Sequence, residues 1–120
     1  MPFAIRVHQT GGPDVMRWEE VPVADPAPGE VQVRHAAVGL NFIDVYFRSG
    51  LYPMPLPSGL GLEGAGVVEA VGDGVSEFRP GDRVAYAGGP LGAYSQLRCL
   101  PADRLLKLPE RASIFRRRRR

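Results

Sequence analysis

Short runs of alternating apolar and polar residues, each cut off by glycine or proline, make up most of this chain. Residues 3–8 alternate as a half-buried strand does, with successive side chains on opposite faces, and Gly11-Gly12-Pro13-Asp14 breaks the run. Residues 15–23 read as a second strand. Asp25-Pro26-Ala27-Pro28-Gly29-Glu30 is a stiff turn, after which Val31, Val33 and Ala37 alternate with Gln32, Arg34 and Ala36 along a third strand ended by Gly39.

The stretch from 59 to 84 organises the pattern. Val67, Ala70 and Val71 supply a strand-like run, and Gly72-Asp73-Gly74 permits the positive backbone dihedrals of a tight reversal. Pro80-Gly81-Asp82 reads as a second turn, because proline presets its own φ, before residues 83–86 resume a strand. Two turns and three strands are expected within this stretch. A glycine loop over 88–92, a strand over 94–100, a turn at Asp103-Arg104 and a last apolar run over 105–108 follow, closed by Pro109.

One segment has a different period. Asn41 is a helix cap whose side-chain oxygen can accept an otherwise unpaired amide, residues 42–48 follow as a short helix, and Gly50 closes it. Ile43 and Phe47, four apart, are expected to face the core, with Phe42 and Tyr46 on a neighbouring face. The loop 51–58 carries Tyr52 and three prolines. Seven or eight short strands with so many turns predict a mainly β domain, a partly open antiparallel barrel with one or two short helices and no internal repeat.

Composition agrees with that picture. Twelve prolines and fifteen glycines in 120 residues are many, yet 44% of the chain is hydrophobic, which favours a turn-rich β domain over disorder. Lone Cys99 can form no internal disulfide, and no signal-peptide pattern opens the chain, so a cytoplasmic location is expected. No apolar run approaches the roughly 18 residues of a spanning helix. The formal charge of +2 includes Arg116, Arg117, Arg118, Arg119 and Arg120, without which the remainder carries −3. Attraction to nucleic acid is therefore expected only from that tail, and non-specifically.

Three arrangements that carry chemistry elsewhere are weak here. Gly59-Leu60-Gly61-Leu62-Glu63-Gly64 has the G-x-G-x-x-G spacing of a dinucleotide loop, but a proline-rich segment precedes it and the β-prone Val67-Val68-Glu69-Ala70-Val71 follows, where that motif needs a strand and then a helix. His8, His35 and Cys99 lack the close spacing of zinc ligands. No serine sits in a nucleophile elbow. What stands out is the crowding of Asn41, Asp44, Tyr46, Arg48 and Tyr52 onto the helix and the stiff loop behind it. Taken alone, these residues are equally readable as a binding cluster or as a cap, an i,i+4 ion pair and two boundary tyrosines.

The order APGEVQVRHAAVGLNFIDVYFRSGLYP, then PSGLGLEGAGVVEAVGDGVSEFRPGDRV, then LGAYSQLRCLPADRLLKLPE resembles the N-terminal GroES-like catalytic domain of medium-chain dehydrogenase/reductases. More narrowly it is similar to the zinc-independent NADPH:quinone oxidoreductases related to zeta-crystallin, over residues 3–112. Where the zinc branch of that family has a catalytic cysteine this chain has Asn41, and where it has Gly-His-Glu this chain has Gly61-Leu62-Glu63. Neither asparagine nor leucine replaces a thiolate or imidazole, so the resemblance implies reduction without a metal. It places Asn41 beside the nicotinamide of NADPH, has Phe42, Ile43, Asp44, Val45 and Tyr46 line the cofactor cleft, and makes Tyr46 and Tyr52 the active-site tyrosines facing a quinone-type substrate. Homo-oligomers are usual in the family.

Members of the family continue into a Rossmann domain that holds most of the cofactor. Here residues 113–120 depart from the family, which is expected to mark a truncated or engineered end and a chain inactive alone. Two other readings accompany the quinone reductase: the equivalent domain of an enoyl reductase, and a non-enzymatic GroES-like binding module with a polyanion-binding arginine tail.

Overall fold

The computed structural model of the chain describes residues 1–109. The expected end of the family-like region at 112 and the basic tail over 113–120 lie outside the described residues. Eight strands and one α-helix follow in the order β1 (Phe3–Val7), β2 (Met16–Glu20), β3 (Glu30–Val38), α1 (Phe42–Ser49), β4 (Ser58–Gly59), β5 (Glu63–Val71), β6 (Arg83–Ala87), β7 (Leu97–Pro101) and β8 (Leu106–Lys107). They form a three-stranded sheet ordered β2-β1-β4 and a five-stranded sheet ordered β7-β3-β5-β6-β8, every pair antiparallel. The result is mainly β, and the sheets do not close into a barrel.

The two-residue period explains which side chains form the core. On β5, Val68 is buried between exposed Val67 and Glu69, and on β6, Val84 and Tyr86 are buried. On β3, Val31 and Val33 are both fully buried, opposite Leu100 and Arg98 of β7. Val31, Val33, Val68, Val84, Tyr86 and Leu100, with Phe78, Ala93, Ala102 and Leu105, make one core.

Four strand expectations change. Residues 75–79 form no strand: β5 pairs directly with β6, and the connection between them instead folds inward, with Phe78 buried at 7% exposure and Val75 packed against the core. Residues 13–15 coil into a 3-10 turn, so the second strand begins at Met16 and ends at Glu20. The strand expected over 94–100 is Leu97–Pro101, preceded by an isolated bridge between Ala4 and Ser95, and only Leu106–Lys107 of the run 105–108 is extended. Leu105, ahead of β8, likewise reaches the core without a ladder partner. The G-x-G-x-x-G segment leads, as its context implied, into strand β5.

Two glycines fix how closely β3 and β5 approach. A Cβ at Gly66 would overlap the Arg34 carbonyl oxygen and lie 2.9 Å from His35 Cα, next to the register shift between His35 and Ala37. At Gly64 it would lie 2.9 Å from the His35 ring.

Candidate functional site

Helix α1 begins where the sequence placed it. Asn41 is extended, with φ −129° and ψ 151°, and Gly50 ends the helix in the left-handed region at φ 93°, donating its N–H to the Phe47 carbonyl at 3.2 Å. Tyr52 then donates its backbone N–H to the Tyr46 carbonyl at 3.1 Å, which folds the loop back onto the helix end.

The buried side chain of this helix is polar. Asp44 is 3% exposed, whereas Ile43 and Phe47, expected at the core, are only half-buried. Its carboxylate accepts the Asn41 backbone N–H at 3.1 Å, the carboxylate half of a capping box. The same oxygen accepts the Tyr94 hydroxyl, and the other, Oδ1, is buried without a partner among the described residues. Burial first, and then the Asp44 carboxylate, hold the Tyr94 phenol above its ordinary range. Asp44 and Arg48 are not an ion pair: the Arg48 guanidinium donates from Nε to the Gly11 carbonyl at 3.1 Å.

Two neighbouring features meet at Phe42. Asn41, Phe42 and Ile43, with Leu62, Glu63, Ala87 and Gly88, line a cavity of about 390 Å³. Gly39 leaves room for the Glu63 carboxylate of this lining, which any Cβ there would overlap, and the Gly88 N–H is bonded to the Leu62 carbonyl at 2.6 Å. Phe42 also tilts against Tyr46, with ring centroids 5.4 Å apart, and Tyr46 meets Tyr52 edge-on at 5.3 Å. Phe47 completes the aromatic cluster at 5.5 Å from Tyr52. Phe42 is 72% and Tyr52 40% exposed, so this cluster presents an accessible aromatic face.

The structure therefore brings Asn41, Phe42 and Ile43 to one cavity and Tyr46 and Tyr52 to the adjoining aromatic face. Asp44 lies beneath them, its carboxylate engaged within the protein, and Val45 is half-buried and not part of the cavity lining. Among the described residues, no three His, Cys, Asp or Glu side chains come together in a way that could hold a metal. Nor is any described helix long and apolar enough to cross a membrane.

Sequence reading missed two groups. Tyr94 is one; its only signal is an aromatic residue flanked by Ala93 and Ser95 fifty positions from Asp44, and no local spacing links the two. The other is a buried chain in which His35 Nδ1 donates to the Ser95 carbonyl at 2.8 Å, Tyr86 donates its hydroxyl to His35 Nε2 at 2.7 Å, and Arg98 donates to the Tyr86 oxygen at 3.3 Å. Burial pushes the His35 imidazole below its usual range; the Ser95 carbonyl opposes the shift and the charge of Arg98 adds to it. A histidine held neutral in the fold and freely protonated when unfolded contributes stability that is fully present above about pH 6.5 and lost as pH falls below it. Thermal melts of the chain and of His35→Gln between pH 8 and pH 5 are expected to show a steeper acid-side loss in the parent. Parallel curves would refute this.

An open, two-sheet antiparallel β domain with one helix capped beside a cavity is a GroES-like architecture. The chain belongs to the alcohol dehydrogenase GroES-like domain family, which it matches over residues 27–110. It is 61% identical over 101 residues to a quinone oxidoreductase of Pseudomonas aeruginosa, an alignment covering 83% of this chain and 31% of that one. The crystal structure of Escherichia coli quinone oxidoreductase complexed with NADPH superposes with a TM-score of 0.90 at 51% identity, covering 93% of this chain and 35% of that chain. A 2-haloacrylate reductase from Burkholderia is 49% identical over 115 residues, covering 92% of this chain and 34% of the relative. The chain thus spans about a third of the length of these relatives.

Proposed function

We propose that the chain forms the substrate-side part of the active site of an NADPH-dependent reductase that acts on quinones without a metal. The observation that carries this reading is the aromatic face of Tyr46 and Tyr52 joined through Phe42 to the cavity at Asn41. The similarity to quinone oxidoreductases, one of them complexed with NADPH, supports it.

The cavity fits the nicotinamide end of such a cofactor. Phe42, Ile43 and Leu62 offer apolar walls for a ring, while Asn41 and the backbone near Gly88 offer groups for a carboxamide. Among the described residues no basic side chain lines it, so these residues do not fit the phosphates, and we infer that the 120-residue chain alone does not turn over. When bound, NADPH supplies the hydride. The chain's own share is to orient and to polarise: the edge-on tyrosine rings touch, so a quinone lies across their outer face rather than between them. A phenol hydroxyl there can donate to the quinone oxygen that gains negative charge, which stabilises the transition state more than the ground state. Asp44 holds the Asn41 amide nitrogen, and through it the helix start, in place.

The test joins the chain, after Ser113, to the remaining two thirds of the Pseudomonas aeruginosa relative and follows NADPH-dependent quinone reduction. Losing an oxyanion-hole donor costs about 10²- to 10³-fold, but Tyr52 is 40% exposed and water can take its place, so Tyr52→Phe is expected to lower turnover about tenfold with NADPH affinity unchanged. Full activity in a Tyr46→Phe, Tyr52→Phe double variant would sink the assignment. The 2-haloacrylate reductase similarity favours reduction of an activated carbon–carbon double bond as the second reading. Preference for an acrylate over every quinone tried would select it.

A further inference from the structure

A cavity of about 320 Å³ bordered by strands of both sheets shares no lining residue with the one at Asn41. Arg6 and Arg98 both line it. They are brought together by two close glycine contacts: Arg6 pairs with Gly59 across β1 and β4, a Cβ on Gly59 would lie 3.0 Å from Gly92 Cα, and a Cβ on Gly92 would lie 3.2 Å from Arg98 Cζ. Arg98 is 8% exposed, yet its acceptors among the described residues are all neutral: the Tyr86 hydroxyl at 3.3 Å and the carbonyls of Pro90 and Leu91 at 3.0 and 3.3 Å. Three of its five N–H donors are thus engaged and none meets a carboxylate. Arg6 Nε is buried with no acceptor among the described residues. Arg17 stands directly opposite Arg6 on β2, a like-charge pairing that a sheet disfavours.

Buried guanidinium charge of this kind calls for an anion. Asp25 and Glu30 also border the cavity, but Glu30 Oε1 accepts the Ala27 N–H at 3.0 Å, and among the described residues neither is ion-paired with Arg6 or Arg98. Val21, Val23 and Leu97 supply apolar wall. We propose that this cavity binds a small organic carboxylate, its apolar body against Val21, Val23 and Leu97 and its carboxylate between Arg6 and Arg98. A phosphate dianion is the poorer match, because it has no apolar body and more charge to set against Asp25 and Glu30.

The probe is benzoate, titrated into the isotopically labelled full chain while the amide resonances of Gly59 and Gly92 are followed, with benzamide and inorganic phosphate in parallel. Benzoate is expected to shift both resonances saturably, and benzamide and phosphate to bind at least about tenfold more weakly, the equivalent of one lost charge-assisted hydrogen bond. Arg6→Gln and Arg98→Met are each expected to weaken benzoate by a similar factor. Arg98→Lys keeps the charge and retains most of the affinity, which covers the case in which Arg98→Met fails to fold. No shift at Gly59 and Gly92, unchanged affinity in Arg6→Gln, or phosphate binding as tightly as benzoate would each overturn the proposal.

Discussion

A chain carrying Gly66→Ala is expected to lose at least about 3 kcal/mol of folding stability, a fall of roughly 12 °C or more in Tm for a domain of this size. The reason is the kind of atom in the way. A Cβ at position 66 would overlap the Arg34 carbonyl oxygen and press on Arg34 C and His35 Cα at 2.8 and 2.9 Å, all of them backbone of β3. A side chain could rotate aside, but β3 is held on its other edge by β7, so relief requires moving a central strand. Gly74→Ala is the control: its φ of 85° makes alanine strained, but nothing lies within 4 Å of the added carbon, so about 1–2 kcal/mol is expected. Thermal and denaturant unfolding of the two variants would show the difference; equal losses would mean that the β3–β5 approach is not as tight as the structure has it.

The second large effect is expected at Asp44. Truncation to alanine leaves the Asn41 N–H and the Tyr94 hydroxyl without their shared acceptor, at a cost of about 2–4 kcal/mol from the lost cap and the orphaned donors together. Asp44→Asn keeps a carbonyl oxygen that can take the place of Oδ2 and removes a charge whose other oxygen has no partner among the described residues, so it is expected to retain most of the stability. The functional consequence follows from the position of Asn41 at the cavity edge. In the joined reductase, Asp44→Ala is expected to raise the KM for NADPH as well as lower turnover, whereas Tyr52→Phe lowers turnover alone. An alanine variant that melts with the parent would refute the anchoring role.

How far the sequence reaches can be seen at this helix. Its two ends were legible, because a cap and a left-handed glycine are decided by residues within one turn. Its buried face was not. The spacing of Ile43 and Phe47 points to the core, yet Asp44 lies deepest, since its partner Tyr94 comes from the far end of the chain and no periodicity encodes that contact. The strands β3, β5 and β6 were legible for the same local reason, through alternation bounded by glycine. Residues 75–79 defeated it, because the alternation that would make a strand equally lets Val75 and Phe78 reach the core from a loop. Of the candidate site, Asn41, Phe42 and Ile43 fall together as their proximity in sequence implies. The arginine pair at Gly59 and Gly92 arises from contacts between strands far apart in the chain, and so left no local trace.

The first strand also carries a cost in time. Ile5 bonds to the Tyr94 carbonyl and Phe3 accepts from Gln96, while β3 completes its ladder only when Leu100 arrives opposite Val31. Closing such long loops costs entropy before the contacts return any. Strand β4 closes the Arg6–Val7 end of the second edge of β1, but its Phe3–Ile5 end stays unpaired until residues 94–96 arrive, and an open edge of that kind invites pairing with a neighbouring chain.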